Sequence, residues 1–140
     1  MTLLPAFGHL PQPPPGERLD GRSSWHADEW EDLRRGALPA TRRALRIVTT
    51  RWMADVLYVL AGGTKRNAEL MAGIRGISQK MLIQTLRQME RDGLVERHVY
   101  AEVPPRVEYS LTDTGRALVQ PLLALGRWAD SHLDLEAQPG

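Results

Sequence analysis

Apolar residues along the chain keep two periods, and each marks its own kind of element. Over 79–92, Leu82, Leu86 and Met89 recur at i, i+4 and i+7, while Lys80, Gln84, Arg87 and Arg91 fall on the opposite side of the helical wheel. Ser78 stands where an N-cap belongs, and Asp92-Gly93-Leu94 ends the pattern. The period then shortens to two: residues 94–99 and 106–111 alternate apolar and polar, as half-buried strands do. Between them, Pro104-Pro105 cannot donate ladder hydrogen bonds and stiffens the turn. A helix, a tight turn and a two-stranded ribbon with Arg106 at a rigid basic tip is the outline of a winged helix.

The remaining pattern is helical. A helix over about 51–61 carries Trp52, Val56, Leu57, Val59 and Leu60, and Gly62-Gly63 stops it. A short helix near 66–72 and a turn over 73–77 lead into the helix at 79–92, and Thr112 caps a long last helix over about 113–135. Towards the N-terminus, Ser24 can cap a helix over about 25–36, with Trp25, Trp30 and Leu33 as contacts. Pro39 suits the first turn of a separate helix with Ala44, Leu45 and Val48 on one face. Residues 1–22, rich in Pro and Gly, bury too little to offset their ordering entropy and read as a flexible arm. The expected organisation is that arm, followed by one mainly α domain over 23–140 with a small β-hairpin wing.

Composition narrows the function. The 140 residues contain no cysteine, which excludes disulfides and thiol redox sensing. No apolar run reaches the roughly 20 residues of a membrane span, and the N-terminus lacks a signal peptide's apolar core, so no membrane association and a cytoplasmic address are expected. The formal net charge is only +1, but the charges are unevenly placed. Acids dominate 28–32; bases gather at Arg34, Arg35, Arg42, Arg43, Arg46 and Arg51, and again at Lys65, Arg66 and Arg75. His9, His26, His98 and His132 match no zinc spacing, and no phosphate-binding glycine loop or linked nucleophile and base is present. No enzyme, metal or cofactor is expected.

A helix with one apolar face and an opposed Lys/Gln/Arg face suits the major groove, where Gln reads adenine and Arg or Lys reads guanine or grips phosphate. Such a face by itself is more often merely solvated. A basic wing beside it favours double-stranded DNA as the partner, because wings place cations on neighbouring phosphates.

Here the chain resembles the HxlR-type (MarR-like) winged-helix transcription regulators, over about 38–132. The resemblance rests on Gly76-Ile77-Ser78 with Lys80, Leu82, Gln84 and Leu86; on Asp92-Gly93-Leu94-Val95 and Arg97; and above all on Val103 through Thr112 with Gly115. Trp52 and Trp128 also stand where that family carries tryptophans. It implies a homodimeric bacterial DNA-binding regulator with its recognition helix at 79–92 and its wing at 99–106. The candidate DNA contacts are Arg66, Ser78, Gln79, Lys80, Gln84, Arg87, Arg91 and Arg106.

Departures from the family pattern bear on control. The family's common cysteine would fall near Pro39, its aromatic core residue is here Asn67, its Thr-Gln-Arg reads Ile83-Gln84-Thr85, and Asp55 occupies a normally apolar position. Leu118, Leu122, Leu125 and Leu133, with Val119, Leu123 and Trp128, offer more apolar surface than a small winged-helix core covers, so terminal helices are expected to form a homodimer. Two arrangements fit Asp55. It joins Trp30, Trp52, Tyr58 and Trp128 around a small-molecule effector, or it pairs with Arg51 on the surface while the tryptophans pack the core. The alternative to a regulator is a ligand-binding or protein-interaction module that kept the fold and lost strong DNA binding.

Overall fold

The computed structural model describes residues 27–133, the side chains of 27–30 and 33 excepted. The expected arm, the Ser24 cap, Trp25 and the Trp30 side chain lie outside the described residues, whereas the last helix, expected to reach about 135, stops at His132 because Leu133 turns extended. The chain forms two compact units that divide between Val48 and Thr49.

The first unit contributes one helix, α1 (Ala27–Val48), which runs through Pro39. Two helices were expected here. The proline deprives only the Arg35 carbonyl of its donor, and Pro39 and Arg35 are both exposed, so water can serve that carbonyl instead.

The second unit holds α2 (Met53–Ala61), β1 (Lys65–Arg66), α3 (Asn67–Gly73), α4 (Gln79–Arg91), β2 (Val95–Tyr100), β3 (Arg106–Leu111) and α5 (Asp113–His132). Met53, Val56, Leu57 and Leu60 of α2 are buried at i, i+3, i+4 and i+7, the stripe a core-facing helix requires. Against them lie Leu70 of α3, Leu82, Leu86 and Met89 of α4, and Tyr109 and Leu111 of β3. Among the described residues Thr85 is the buried polar side chain, and its hydroxyl donates to the Met81 carbonyl at 2.7 Å. Among the described residues, no helix is long and apolar enough to cross a membrane.

The sheet has three antiparallel strands in the order β1-β3-β2, one more than the expected ribbon. Lys65 pairs with Tyr109 and Arg66 with Glu108. Two residues are too few to show any period, so β1 is invisible to pattern. Burial also decays along the wing: Val95 is buried, whereas the rest of β2 is exposed on both faces.

The corner between α4 and β2 is built by backbone geometry. Gly93 adopts φ +75°, the left-handed conformation that ends many helices. The Leu94 N–H donates to the Met89 carbonyl at 2.8 Å and the Gly93 N–H to Glu90 at 3.1 Å, the paired bonds of a Schellman stop. Leu94 and Met89 are both buried beneath it. α5 then docks on this corner. The Thr112 N–H donates to the Leu94 carbonyl at 3.0 Å, its hydroxyl donates to the Gly93 carbonyl, and that hydroxyl also accepts the Gly115 N–H at 3.0 Å.

Gly115 sits so close that an added Cβ would run into the Leu94 carbonyl oxygen, whereas one at Gly126 meets open space. The obstacle at Gly115 is backbone already held by Thr112. Gly115→Ala is expected to cost about 3 kcal/mol as an overpacked site. Gly126→Ala is expected to stabilise by up to about 1 kcal/mol, the helix preference of Ala over Gly. Urea unfolding of the two variants measures both.

Candidate nucleic-acid interface

α3, the turn over 74–78 and α4 form a helix-turn-helix. Gly76 takes φ +86° in the turn, and the Ser78 hydroxyl accepts the Met81 N–H at 3.1 Å to start α4. Burying Leu82, Leu86 and Met89 leaves Lys80, Gln84, Arg87 and Arg91 exposed together on the outer face. Lys80, Gln84 and Arg87 make no hydrogen bond or ion pair among the described residues, so their polar ends face solvent unsatisfied by protein. Arg91 is partly engaged, donating to Gln88 at 2.8 Å. Gln79 is exposed in the first turn, and Ser78 is committed to the cap.

The wing departs from expectation. Arg106 is not a free basic tip. Its guanidinium carbon lies 4.0 Å from the centroid of the Tyr100 ring, and it faces Glu102 at 3.4 Å and Glu108 at 3.6 Å. The side chain is 30% exposed, and its Nε is buried with no hydrogen-bond partner, held by charge attraction alone. The register explains this: Tyr100 pairs with Arg106 across β2 and β3, and Glu102 and Glu108 flank the same position. Glu108 also faces Arg66 at 3.9 Å, so one carboxylate is shared by two of the expected DNA contacts. The projecting tip is apolar, with Val103 fully exposed beside Pro104-Pro105. The acids that neutralise Arg106, four residues before and two after it, were the overlooked signal. Arg75 in the turn and Arg97 on β2, both exposed, are cations that the helix-face pattern did not single out.

The proposed effector residues are placed less concentratedly than expected. Trp52 is half-buried at the start of α2, with the Arg51 guanidinium 4.8 Å over its ring and Gly76 beside it. Arg51 therefore stacks on Trp52, and no Arg51–Asp55 pair forms among the described residues. Asp55 and Tyr58 are exposed on α2, so Asp55 is a solvated acid and not a buried one. Trp128 is half-exposed and stacks on His132, with ring centroids 6.0 Å apart.

Helix-turn-helix, exposed polar recognition face and three-stranded winged sheet together define a winged helix-turn-helix DNA-binding protein. The HxlR-like helix-turn-helix family model matches residues 47–137, and the chain belongs to that family. It is 45% identical over 94 residues to the HTH-type transcriptional regulator YkvN of Bacillus subtilis, covering 67% of this chain and 80% of the relative. A MarR-family transcriptional regulator from Enterococcus faecalis V583 superposes with a TM-score of 0.64 at 42% identity, over 67% of this chain and 86% of that one. The reduced form of the transcriptional regulator YodB from B. subtilis gives 0.64 at 36% identity, over 69% and 94%. The chain is a DNA-binding transcriptional regulator, and the proteins it matches are regulators, not enzymes.

Gln84→Ala is expected to relax preference for one base of the bound duplex, by roughly 1–3 kcal/mol for a bidentate contact. Arg106→Ala acts differently. It removes the cation between Glu102 and Glu108, so amide exchange should quicken across 97–109 in the free protein. Competition binding against base-substituted duplexes reads the first effect and hydrogen-exchange mass spectrometry the second.

Proposed function

We propose that the chain binds a near-palindromic operator as a homodimer and reads it with Lys80, Gln84 and Arg87 of α4. The observation that carries this is the exposed, unpaired Lys/Gln/Arg face on a helix whose other face is locked into the core. Gln79 and Arg91 lie beside it, the Ser78 cap holds the first turn of α4 towards the duplex, and the wing supports the contact as a rigid strut. Arg66 and Arg106 act chiefly by ordering that strut through Glu108.

Dimerisation follows from α5. Beyond its docked first turn, Leu118, Val119 and Leu122 are only half-buried, while Leu123, Leu125, Trp128 and Leu133 are exposed. An apolar stripe of this length favours burial against the same helix of a second copy. A two-fold dimer then presents two α4 helices to half-sites about 34–36 Å apart, or a multiple of that.

Control in this reading is non-covalent, in a cytoplasmic protein. The related YodB has been solved in reduced and diamide-treated forms, whereas this chain has no cysteine to oxidise. The exposed rings of Tyr58 and Trp128, with Trp52 and Asp55, are where a flat apolar effector could act on the dimer, by binding one geometry better than another.

Sedimentation at micromolar concentration is expected to show a dimer. Leu122→Glu with Leu125→Glu should give a folded monomer, because charge would be buried unpaired in the interface. Wild-type binding to the DNA flanking its own gene should exceed binding to random duplex, and the monomeric variant should lose that excess. A wild-type monomer, or equal binding to both DNAs, would overturn the corresponding half of the reading.

A further inference from the structure

We propose that the C-terminal half of α1 is a phosphate-binding face in its own right, gripping the sugar-phosphate backbone of double-stranded DNA. This adds to the DNA-binding role and rests on it for the identity of the ligand. The face lies at Arg42, Arg43 and Arg46.

Charge along α1 is segregated. The acids are Asp28, Glu29, Glu31 and Asp32, and none occurs from Leu33 to Val48. Glu31 occupies the two nearest arginines, meeting Arg34 at 2.7 Å and Arg35 at 3.3 Å. The hydrogen bond from Arg34 holds the Glu31 carboxyl below the usual range. Arg42, Arg43 and Arg46 are exposed and make no hydrogen bond or ion pair among the described residues. Arg46 is one turn beyond both of the others, a spacing at which like charges repel unless an anion lies between them. The helix dipole accounts for a cation in the last turn, where Arg46 stands, but not for all three.

The arginines also share a shape. Leu38 and Pro39 line an open groove of about 440 Å³ along α1, together with Arg34, Arg35, Arg42, Arg43 and Arg46. Planar guanidinium groups bind phosphate oxygens in pairs. From Arg42 to Arg46 the helix rises about 6 Å, while one strand of a duplex carries a phosphate every 3.4 Å or so of its axis. An open, linear array of this kind fits a polyanion better than a single small ion. The wing, whose Arg106 is neutralised from within, leaves phosphate contacts for other elements to make.

The test uses the full chain with Arg42, Arg43 and Arg46 all changed to Gln, against a mixed-sequence duplex three helical turns long. Because the three side chains are exposed, helicity by circular dichroism should be unchanged. Each phosphate contact contributes about 0.9 to the slope of log affinity against log salt, so the variant's slope should be shallower by about two to three. Between about 50 and 200 mM salt the wild type then loses about 40-fold more affinity than the variant. Changing the same three residues to Lys should largely restore the slope.

Lys80→Gln with Arg87→Gln in α4 is measured beside it. If that pair flattens the slope and the α1 variant does not, the α1 proposal is overturned and the reading of α4 stands. If the α1 variant flattens it and the α4 pair does not, the reading of α4 fails instead. An unchanged slope overturns the proposal, and a changed slope accompanied by a changed oligomeric state in sedimentation overturns it too, assigning the arginines to a contact between copies.

Discussion

The carbonyl of Leu94 is the point on which the second unit turns. It accepts the Thr112 N–H and lies against Gly115, while the Leu94 N–H closes the end of α4 on Met89. Three elements meet there, with the Thr112 hydroxyl bridging the Gly93 carbonyl and the Gly115 N–H: the recognition helix ends, the wing begins and α5 docks. Backbone hydrogen bonds of this kind are short and directional, and a buried carbonyl that lost its donor would be costly to leave unpaired. The angle between α4 and the wing is therefore set by the corner itself, and the long side chains further out inherit their positions from it.

Outward from that corner the charges divide into two kinds. Those of the wing are satisfied within the protein: Arg66 and Arg106 share Glu108, and Arg106 lies on Tyr100. An arginine enclosed by an aromatic ring and two carboxylates is worth more to the order of a thin ribbon than as a solvent-facing cation. On the α4 face Lys80 and Arg87 have no partner among the described residues, while Arg91 donates to Gln88. With a net charge of only +1, DNA binding depends on this local segregation and not on a global field.

α5 shows how a single chain can be complete as a fold and unfinished as a surface. Its first turn is anchored by Thr112 and Gly115, yet half-exposed Trp128 and Leu125 follow along the same helix.

Periodicity was enough to place α2, α4, the wing strands and most of α5, because one-sided burial imposes a period of 3.6 or 2 on any sequence that must hide one face. Ser78, Gly93 and Thr112 marked the ends of those elements by their own conformational chemistry, and the outer face of α4 followed from its inner one. Local pattern could not reveal β1, whose two residues gain meaning only by pairing with Tyr109 and Glu108. Nor could it reveal that α1 passes through Pro39, since that depends on whether one carbonyl can reach water. The fate of Arg106 was likewise decided in three dimensions. Its charge is written in the sequence, but strand register brought Tyr100, Glu102 and Glu108 around it. Sequence determines which groups a chain possesses and which faces they share; whether a charge is spent on a neighbour or kept for a ligand depends on distances that only the folded backbone sets.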